Sequence, residues 1–188
     1  MRYWSGAVEA YGEKYFICSE WLNEFLQWLE VAKRKTSLIS HLEAPDTPEK
    51  MNDTLLLWRD ITNGKYEIYL SNVTLDELSE CPEPKQTILL EYLGQVDYMI
   101  QRETEESLEL TEKYLKYGVL KEKSRDDLRH ISLAVIAECD YIISWNFKHF
   151  VNIRTINKVQ AVNKLVDYSD ISILPPSMLV EGDETDDQ

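Results

Sequence analysis

Residues 66–78 read YEIYLSNVTLDEL, a short strand pattern that runs directly into a helix pattern. The strand, Tyr66 to Leu70, leads to Ser71 or Asn72, both typical residues at the N-cap of a helix. A second strand, Asp140 to Ser144, follows another helical stretch. Short strands separated by helices indicate βα units, in which helices cover both faces of a parallel sheet. The sequence therefore predicts an α/β fold.

The other elements follow from apolar spacing and from helix start and stop signals. We predict a helix that starts at Thr47-Pro48-Glu49 and stops at Asn63-Gly64, and another that follows Pro84 and ends at Gly94. The remaining predictions are a strand from Val96 to Ile100, helices at Thr104–Tyr117, Asp126–Glu138 and Thr155–Val166, and a last strand at Ile171–Leu174.

The two ends of the chain differ in composition from the middle. Residues 1–33 form an acidic, aromatic-rich leader, residues 34–175 carry the α/β pattern, and residues 176–188 are predicted to be a disordered acidic tail. In the leader, apolar residues recur at steps of three and four, which predicts an amphipathic helix that includes Ile17, Trp21, Leu22, Phe25, Trp28 and Leu29. This helix either packs permanently on the domain or offers its aromatic face to a partner or a second copy.

Length and charge limit the classes of function. The chain of 188 residues and 22.1 kDa is long enough for one ordinary domain. Its net charge of −14 argues against a broad surface that coats nucleic acid. Residues 113–164, however, contain ten Lys/Arg against five Asp/Glu, a local net charge of +5. A confined site for an anionic substrate is compatible with this distribution, although a basic stretch is usually only a solvated face.

Cysteine usage and hydropathy predict a cytoplasmic protein. Cys18, Cys81 and Cys139 lie far apart, a spacing typical of reduced thiols and unsuited to a zinc site. No apolar run approaches the roughly 18 residues needed to span a bilayer, so we expect no membrane association. The first residues lack the apolar core of a secretory signal.

Polar residues near the carboxyl ends of the predicted strands are the first candidates for a functional site, because parallel sheets bind ligands there. Glu77 lies in the helix after the first predicted strand, Asp127 opens the helix before the second, and Asn146 follows that strand. Carboxylates that converge in this way suit Mg²⁺ or Mn²⁺. Each acid alone has a simpler explanation, because Asp and Glu in a first turn complement the helix dipole.

The local sequences are more specific than the single residues. Residues 124–134, SRDDLRHISLA, and residues 137–150, AECDYIISWNFKHF, resemble the C-terminal half of a PIN domain, as do residues 66–78 and 156–165. The resemblance is to the branch that contains the VapC-like toxins of bacterial toxin–antitoxin pairs, and it covers roughly residues 36–175. It implies a three-layer α/β/α fold with a mostly parallel sheet and a metal-dependent endoribonuclease activity.

The resemblance also implies roles for the candidate residues. Glu77 and Asp127 take the positions of metal ligands, and Asn146 takes a further catalytic position that is often Asp in the family. In such a site, water activated by Mg²⁺ or Mn²⁺ attacks an RNA phosphodiester. Asp126, beside Asp127, points about 100° away on the helix and is expected to cap it instead.

The front of the chain departs from the family pattern, which opens with an apolar strand that ends in an aspartate. One alignment places Lys35 at that position, and a second alignment of residues 15–22 places Cys18 there. In the first alignment, the Lys35 ammonium would neutralise the carboxylates in place of the metal. Either alignment implies an impaired or inactive enzyme.

Cationic and aromatic residues follow the predicted site. Lys148 and Arg154 either contact an RNA backbone or belong to a solvated basic face. Trp145 and Phe147 either stack on bases or belong to the core. His130 is expected to pack within its helix environment.

Two functions remain open from the sequence. The first is a PIN-type ribonuclease that requires Mg²⁺ or Mn²⁺ and hydrolyses RNA. The second is a catalytically inactive PIN-like binding or regulatory protein, with the leader helix as an inhibitory or partner-binding segment. The expected partners are RNA, an antitoxin-like protein and a second copy of the chain.

Overall fold

The computed structural model describes residues 13–18, 21–26 and 48–180. Its centre is one five-stranded sheet in the order β3-β2-β1-β4-β5, and all four neighbouring pairs are parallel. The strands are β1 (Lys14–Ile17), β2 (Glu67–Ser71), β3 (Tyr98–Gln101), β4 (Tyr141–Ile143) and β5 (Ser172–Leu174). The predicted α/β fold with a mostly parallel, helix-covered sheet is confirmed.

Seven described helical stretches surround the sheet: α1 (residues 21–26), α2 (Pro48–Thr62), α3 (Asn72–Ser79), α4 (Lys85–Leu93), α5 (Glu105–Lys116), α6 (Arg125–Ile136) and α7 (Ile153–Leu165). Short 3₁₀ turns occupy Glu122–Ser124 and Pro176–Met178. The ends of the helices carry the predicted signals. The Ser71 side chain accepts a hydrogen bond from the Thr74 N–H at the start of α3, and Gly118 after α5 has a φ of 66°.

The central strand β1 comes from the segment that the sequence analysis assigned to a helical leader. Tyr15 and Ile17 point into one core cluster and Phe16 into the other, as expected for a strand buried on both faces. Phe16 pairs with β2 on one side and β4 on the other. The prediction of a leader separate from the sheet is therefore wrong at these residues, because the helical spacing begins only at Trp21.

This placement decides between the two alignments of the front of the chain. The residue after the central strand is Cys18, as the second alignment has it. Lys35 lies outside the described residues. The hypothesis that the Lys35 ammonium takes the place of the metal therefore falls on residues that the structure does not describe, whereas the residue that follows the central strand is Cys18.

The described part of the leader helix is core rather than a partner-binding surface. Trp21 and Phe25 of α1 are fully buried. The Phe25 ring lies 4.4 Å from the Trp58 ring of α2 and 5.3 Å from the Tyr92 ring of α4, between ring centroids. The interpretation in which this helix packs permanently on its own domain holds for residues 21–26, whereas Trp28 and Leu29 lie outside the described residues.

The packed chain also continues past residue 175. Pro176 is buried, and Leu179 and Val180 pack against the same cluster as Trp21. The predicted tail thus begins at least five residues too early, and residues 181–188 lie outside the described residues. Within the described ranges, no helix combines the length and the apolar character required to cross a bilayer.

Candidate functional site

The carboxyl edge of the sheet gathers the residues that follow three adjacent strands. Cys18 comes after β1, Ser71 ends β2, and Ser144 comes after β4. All three are completely buried. Because β1 lies between β2 and β4, this edge is where side chains from different parts of the sequence meet.

Glu77 of α3 is paired with His130 of α6. The His130 Nε2 lies 3.2 Å from a Glu77 carboxylate oxygen, and its Nδ1 lies 3.4 Å from the Ser71 hydroxyl oxygen. The His130 side chain is 5% exposed, whereas that of Glu77 is 37% exposed. This imidazole therefore joins the end of β2, α3 and α6, and it holds a solvent-accessible carboxylate against α6.

Asp127, in the first turn of α6, is paired with His149. The His149 Nδ1 lies 2.7 Å from an Asp127 carboxylate oxygen and 3.3 Å from the Ser124 hydroxyl. The side chains of Asp127 and His149 are 16% and 25% exposed. Both predicted carboxylates thus have a histidine partner that the sequence analysis did not assign to them.

Asn146 shapes the loop that presents His149. Its side-chain oxygen accepts hydrogen bonds from the backbone N–H groups of Lys148 (3.2 Å) and His149 (2.9 Å). Its own N–H donates to the Ser144 hydroxyl, and its carbonyl accepts from two further N–H groups in the loop. Asn146 therefore positions the loop around the candidate site, a role that was not predicted.

The two carboxylate–histidine pairs lie along one face of α6. Asp127 and His130 are three residues apart, a spacing that puts side chains on the same side of a helix. Glu77, held by His130, consequently lies along the helix face that also bears Asp127. Among the residues that the structure describes, however, no group of three His, Cys, Asp or Glu side chains could hold a metal ion.

The donor set fits Mg²⁺ or Mn²⁺ only as a two-carboxylate site. Mg²⁺ is commonly bound through one or two carboxylates, with waters and substrate phosphates as its other ligands. Glu77 and Asp127 could supply those carboxylates. Cys18 does not suit the same ion, because a thiol is a soft ligand. The Cys18 Sγ donates to the Ile143 carbonyl at 3.7 Å, inside the core.

Asp126 takes part in a separate ion-pair network and does not cap its helix. Its carboxylate lies 2.8 Å from Arg129, whose guanidinium also pairs with both carboxylate oxygens of Glu103, at 2.7 and 2.6 Å. The Arg129 guanidinium, which donates to the Glu103 carboxylate, lowers the pKa of that carboxyl. This bidentate ion pair connects the residue before Thr104, the N-cap of α5, with the first turns of α6. It thereby helps to fix the helix that carries Asp127.

The predicted RNA-contacting residues are Lys148, in the loop that Asn146 shapes, and Arg154, in the first turn of α7. Lys148 and Arg154 are exposed, and neither side chain has a partner among the described residues. Trp145 is core, because it is buried and its indole N–H donates to the Thr54 hydroxyl at 2.9 Å. Phe147, two residues later, is 48% exposed.

Comparison with solved structures gives a likeness at low sequence identity. No protein-family model and no curated protein matches the chain. Among solved structures, the chain is similar to one described as VapBC2 from Rickettsia felis bound to a DNA fragment from their promoter. The similarity has a TM-score of 0.44 at 12% identity, and it covers 86% of this chain and 98% of that one.

Proposed function

We propose that this chain is a metal-dependent ribonuclease with a PIN-like fold of the toxin type, and that its activity is weak. The observation that supports the proposal is the pairing of Glu77 with His130, a residue of α6 that lies one helical turn from Asp127. Two partly exposed carboxylates are the minimum for a Mg²⁺ or Mn²⁺ ion that takes its other ligands from water and an RNA phosphate.

Each residue of the site has a distinct part in this proposal. Glu77 and Asp127 bind the ion, while His130 and His149 orient the two carboxylates. A bound Mg²⁺ or Mn²⁺ ion supplies an activated water and stabilises charge on the phosphorus oxygens. Lys148 and Arg154, which are exposed, would contact the RNA backbone. Asn146 keeps the intervening loop in shape.

Weak activity follows from the end of the central strand. In the family that the sequence resembles, an aspartate is expected where this chain has Cys18. A buried neutral thiol adds no negative charge and no oxygen ligand, so the ion would be bound by fewer groups. We expect affinity for Mg²⁺ to be low in the absence of RNA.

The same thiol favours a second candidate function, a PIN-like binding protein without hydrolytic activity. In that case, the carboxylate–histidine pairs stabilise the edge of the sheet. The chain then binds RNA without cleaving it, or it binds an antitoxin-like protein. Such a protein partner, like a homodimer, remains a prediction. The two candidates share the fold and differ in what Asp127 does.

A cleavage assay with matched aspartate variants separates them. Single-stranded RNA is incubated with Mn²⁺ and the purified wild type, Asp127→Asn or Asp126→Asn. The last variant is the control, because Asp126 is adjacent and acidic but pairs with Arg129. Cleavage lost only in Asp127→Asn supports the nuclease. Binding of RNA without cleavage supports the second candidate, and equal cleavage by all three proteins contradicts the proposed site.

A further inference from the structure

The loop after β4 holds an exposed aromatic ring next to the candidate site. Phe147 is 48% exposed, although Trp145, two residues before it, is buried. The Phe147 N–H donates to the Trp145 carbonyl at 2.8 Å, and Asn146 accepts hydrogen bonds from the residues that follow. The ring is thus presented by a loop whose backbone is fixed by several hydrogen bonds.

A cation lies over this ring. The Lys50 ammonium lies 5.1 Å from the centroid of the Phe147 ring and 5.2 Å from that of Trp145. Lys148 is the next residue in the chain, and His149 after it is paired with Asp127. An exposed aromatic ring with one cation over it, and a second cationic residue next to it in the chain, offers the two kinds of contact that single-stranded nucleic acid uses. The bases stack on the ring, and the phosphates meet the cations.

We infer that Phe147 is a stacking platform for a base of single-stranded RNA, with Lys50 and Lys148 as contacts for the adjoining phosphates. The inference rests on the proposed function, since it names how RNA is held beside Asp127. His149, two residues after Phe147, meets Asp127, so the ring belongs to the same loop as the candidate site. Because stacking uses the face of any base, the contact selects unpaired RNA rather than a sequence.

Binding without metal tests the inference separately from cleavage. A fluorescein-labelled oligouridine is titrated with the full chain in EDTA, and fluorescence anisotropy gives the dissociation constant. Phe147→Leu removes the ring but keeps apolar bulk, and Phe147→Tyr keeps the ring. Tyr117→Leu is the matched control, because Tyr117 is also 48% exposed and has a lysine ammonium 5.9 Å from its ring centroid. An abasic oligonucleotide of equal length and charge is titrated in parallel.

We expect Phe147→Leu to weaken binding of oligouridine on the order of ten-fold, the loss typical of one stacked base. Phe147→Tyr and Tyr117→Leu should bind like the wild type, and Phe147→Leu should not alter binding of the abasic strand. Equal losses on both strands, equal losses in Phe147→Leu and Tyr117→Leu, or no RNA binding by the wild type would overturn the inference.

The cleavage assay keeps this inference distinct from the proposed function. RNA binding that depends on Phe147, without any cleavage in Mn²⁺, would support the stacking platform and contradict the proposed nuclease activity. Cleavage that depends on Asp127, with unchanged binding in Phe147→Leu, would do the reverse.

Discussion

Replacing Cys18 by aspartate tests what the end of the central strand contributes. The change introduces the acid that the family resemblance implies at this position. Cys18→Asn is the control, because asparagine has nearly the same shape as aspartate but carries no charge. Cys18 is completely buried, and its Sγ lies 3.7 Å from the Ile143 carbonyl oxygen. A carboxylate at this position would be cut off from water and would face another oxygen.

The expected cost follows from that burial. An uncompensated buried charge destabilises a protein by roughly 3–5 kcal/mol. In EDTA near neutral pH, the free energy of unfolding of Cys18→Asp should therefore be about 3 kcal/mol lower than that of Cys18→Asn. Burial raises the pKa of such a carboxyl, and a neutral acid avoids the penalty. The difference between the variants should therefore shrink as the pH falls and the aspartate becomes protonated.

The measurement is urea denaturation followed by circular dichroism, in EDTA and in Mn²⁺. If Glu77 and Asp127 bind an ion, Mn²⁺ should recover more stability in Cys18→Asp than in Cys18→Asn, because the added carboxylate strengthens binding to the folded state and this binding shifts the equilibrium. Equal stability of the two variants in EDTA would show that residue 18 is not in a desolvated environment, and the reasoning would be wrong.

Three further outcomes are expected in the same denaturation assay. Tyr114→Phe should lower the free energy of unfolding by about 1–3 kcal/mol, because it leaves a buried oxygen of Asn163 without its donor; the exposed change Tyr117→Phe should have little effect. The free energy of unfolding should fall as the pH rises above 9.0, because burial raises the pKa of the Cys139 thiol to about 12. Above pH 9.0 the folded state keeps a proton that the unfolded chain releases. Cys139→Ala should lessen this fall. Glu103→Gln should lower the free energy of unfolding by roughly 1 kcal/mol near neutral pH, because the pKa of the Glu103 carboxyl is lowered in the folded state. The difference from the wild type should vanish in acid, since the stabilisation is lost once this carboxyl is protonated.

The order of elements after residue 48 could be read from the sequence because the signals there are local. Ser71 before α3, Thr104 before α5 and Gly118 after it act on their own neighbours, and the structure places the helix ends at them. The sequence analysis also placed β2, β4 and β5 within a residue or two of their observed bounds.

The central strand was harder to predict for a physical reason. β1 has only four residues, and the apolar helical pattern begins directly after it. Periodicity cannot separate a short buried strand from a helical turn, so Ile17 was assigned to the helix. Only pairing with β2 and β4, which are distant in sequence, identifies the segment as a strand.

The candidate site divides in the same way. Glu77 and Asp127 could be proposed because each stands next to a predicted strand or at a predicted helix start. Their pairing with His130 and His149 could not, because 53 and 22 residues separate the partners along the chain. Whether the two carboxylates bind metal together remains a prediction.

The division of the core into two layers has a spectroscopic consequence. Trp21, Trp58 and Trp145 all belong to the layer that contains α1 and α2, whereas the buried aromatic residues of the opposite layer include Tyr114 and Phe150 and no described tryptophan. In a chain whose other two tryptophans, Trp4 and Trp28, are replaced by Phe, indole emission should follow the packing of one side of the sheet only. If the layers separate during unfolding, indole emission and backbone dichroism will give different midpoints, and a single cooperative transition will make them coincide.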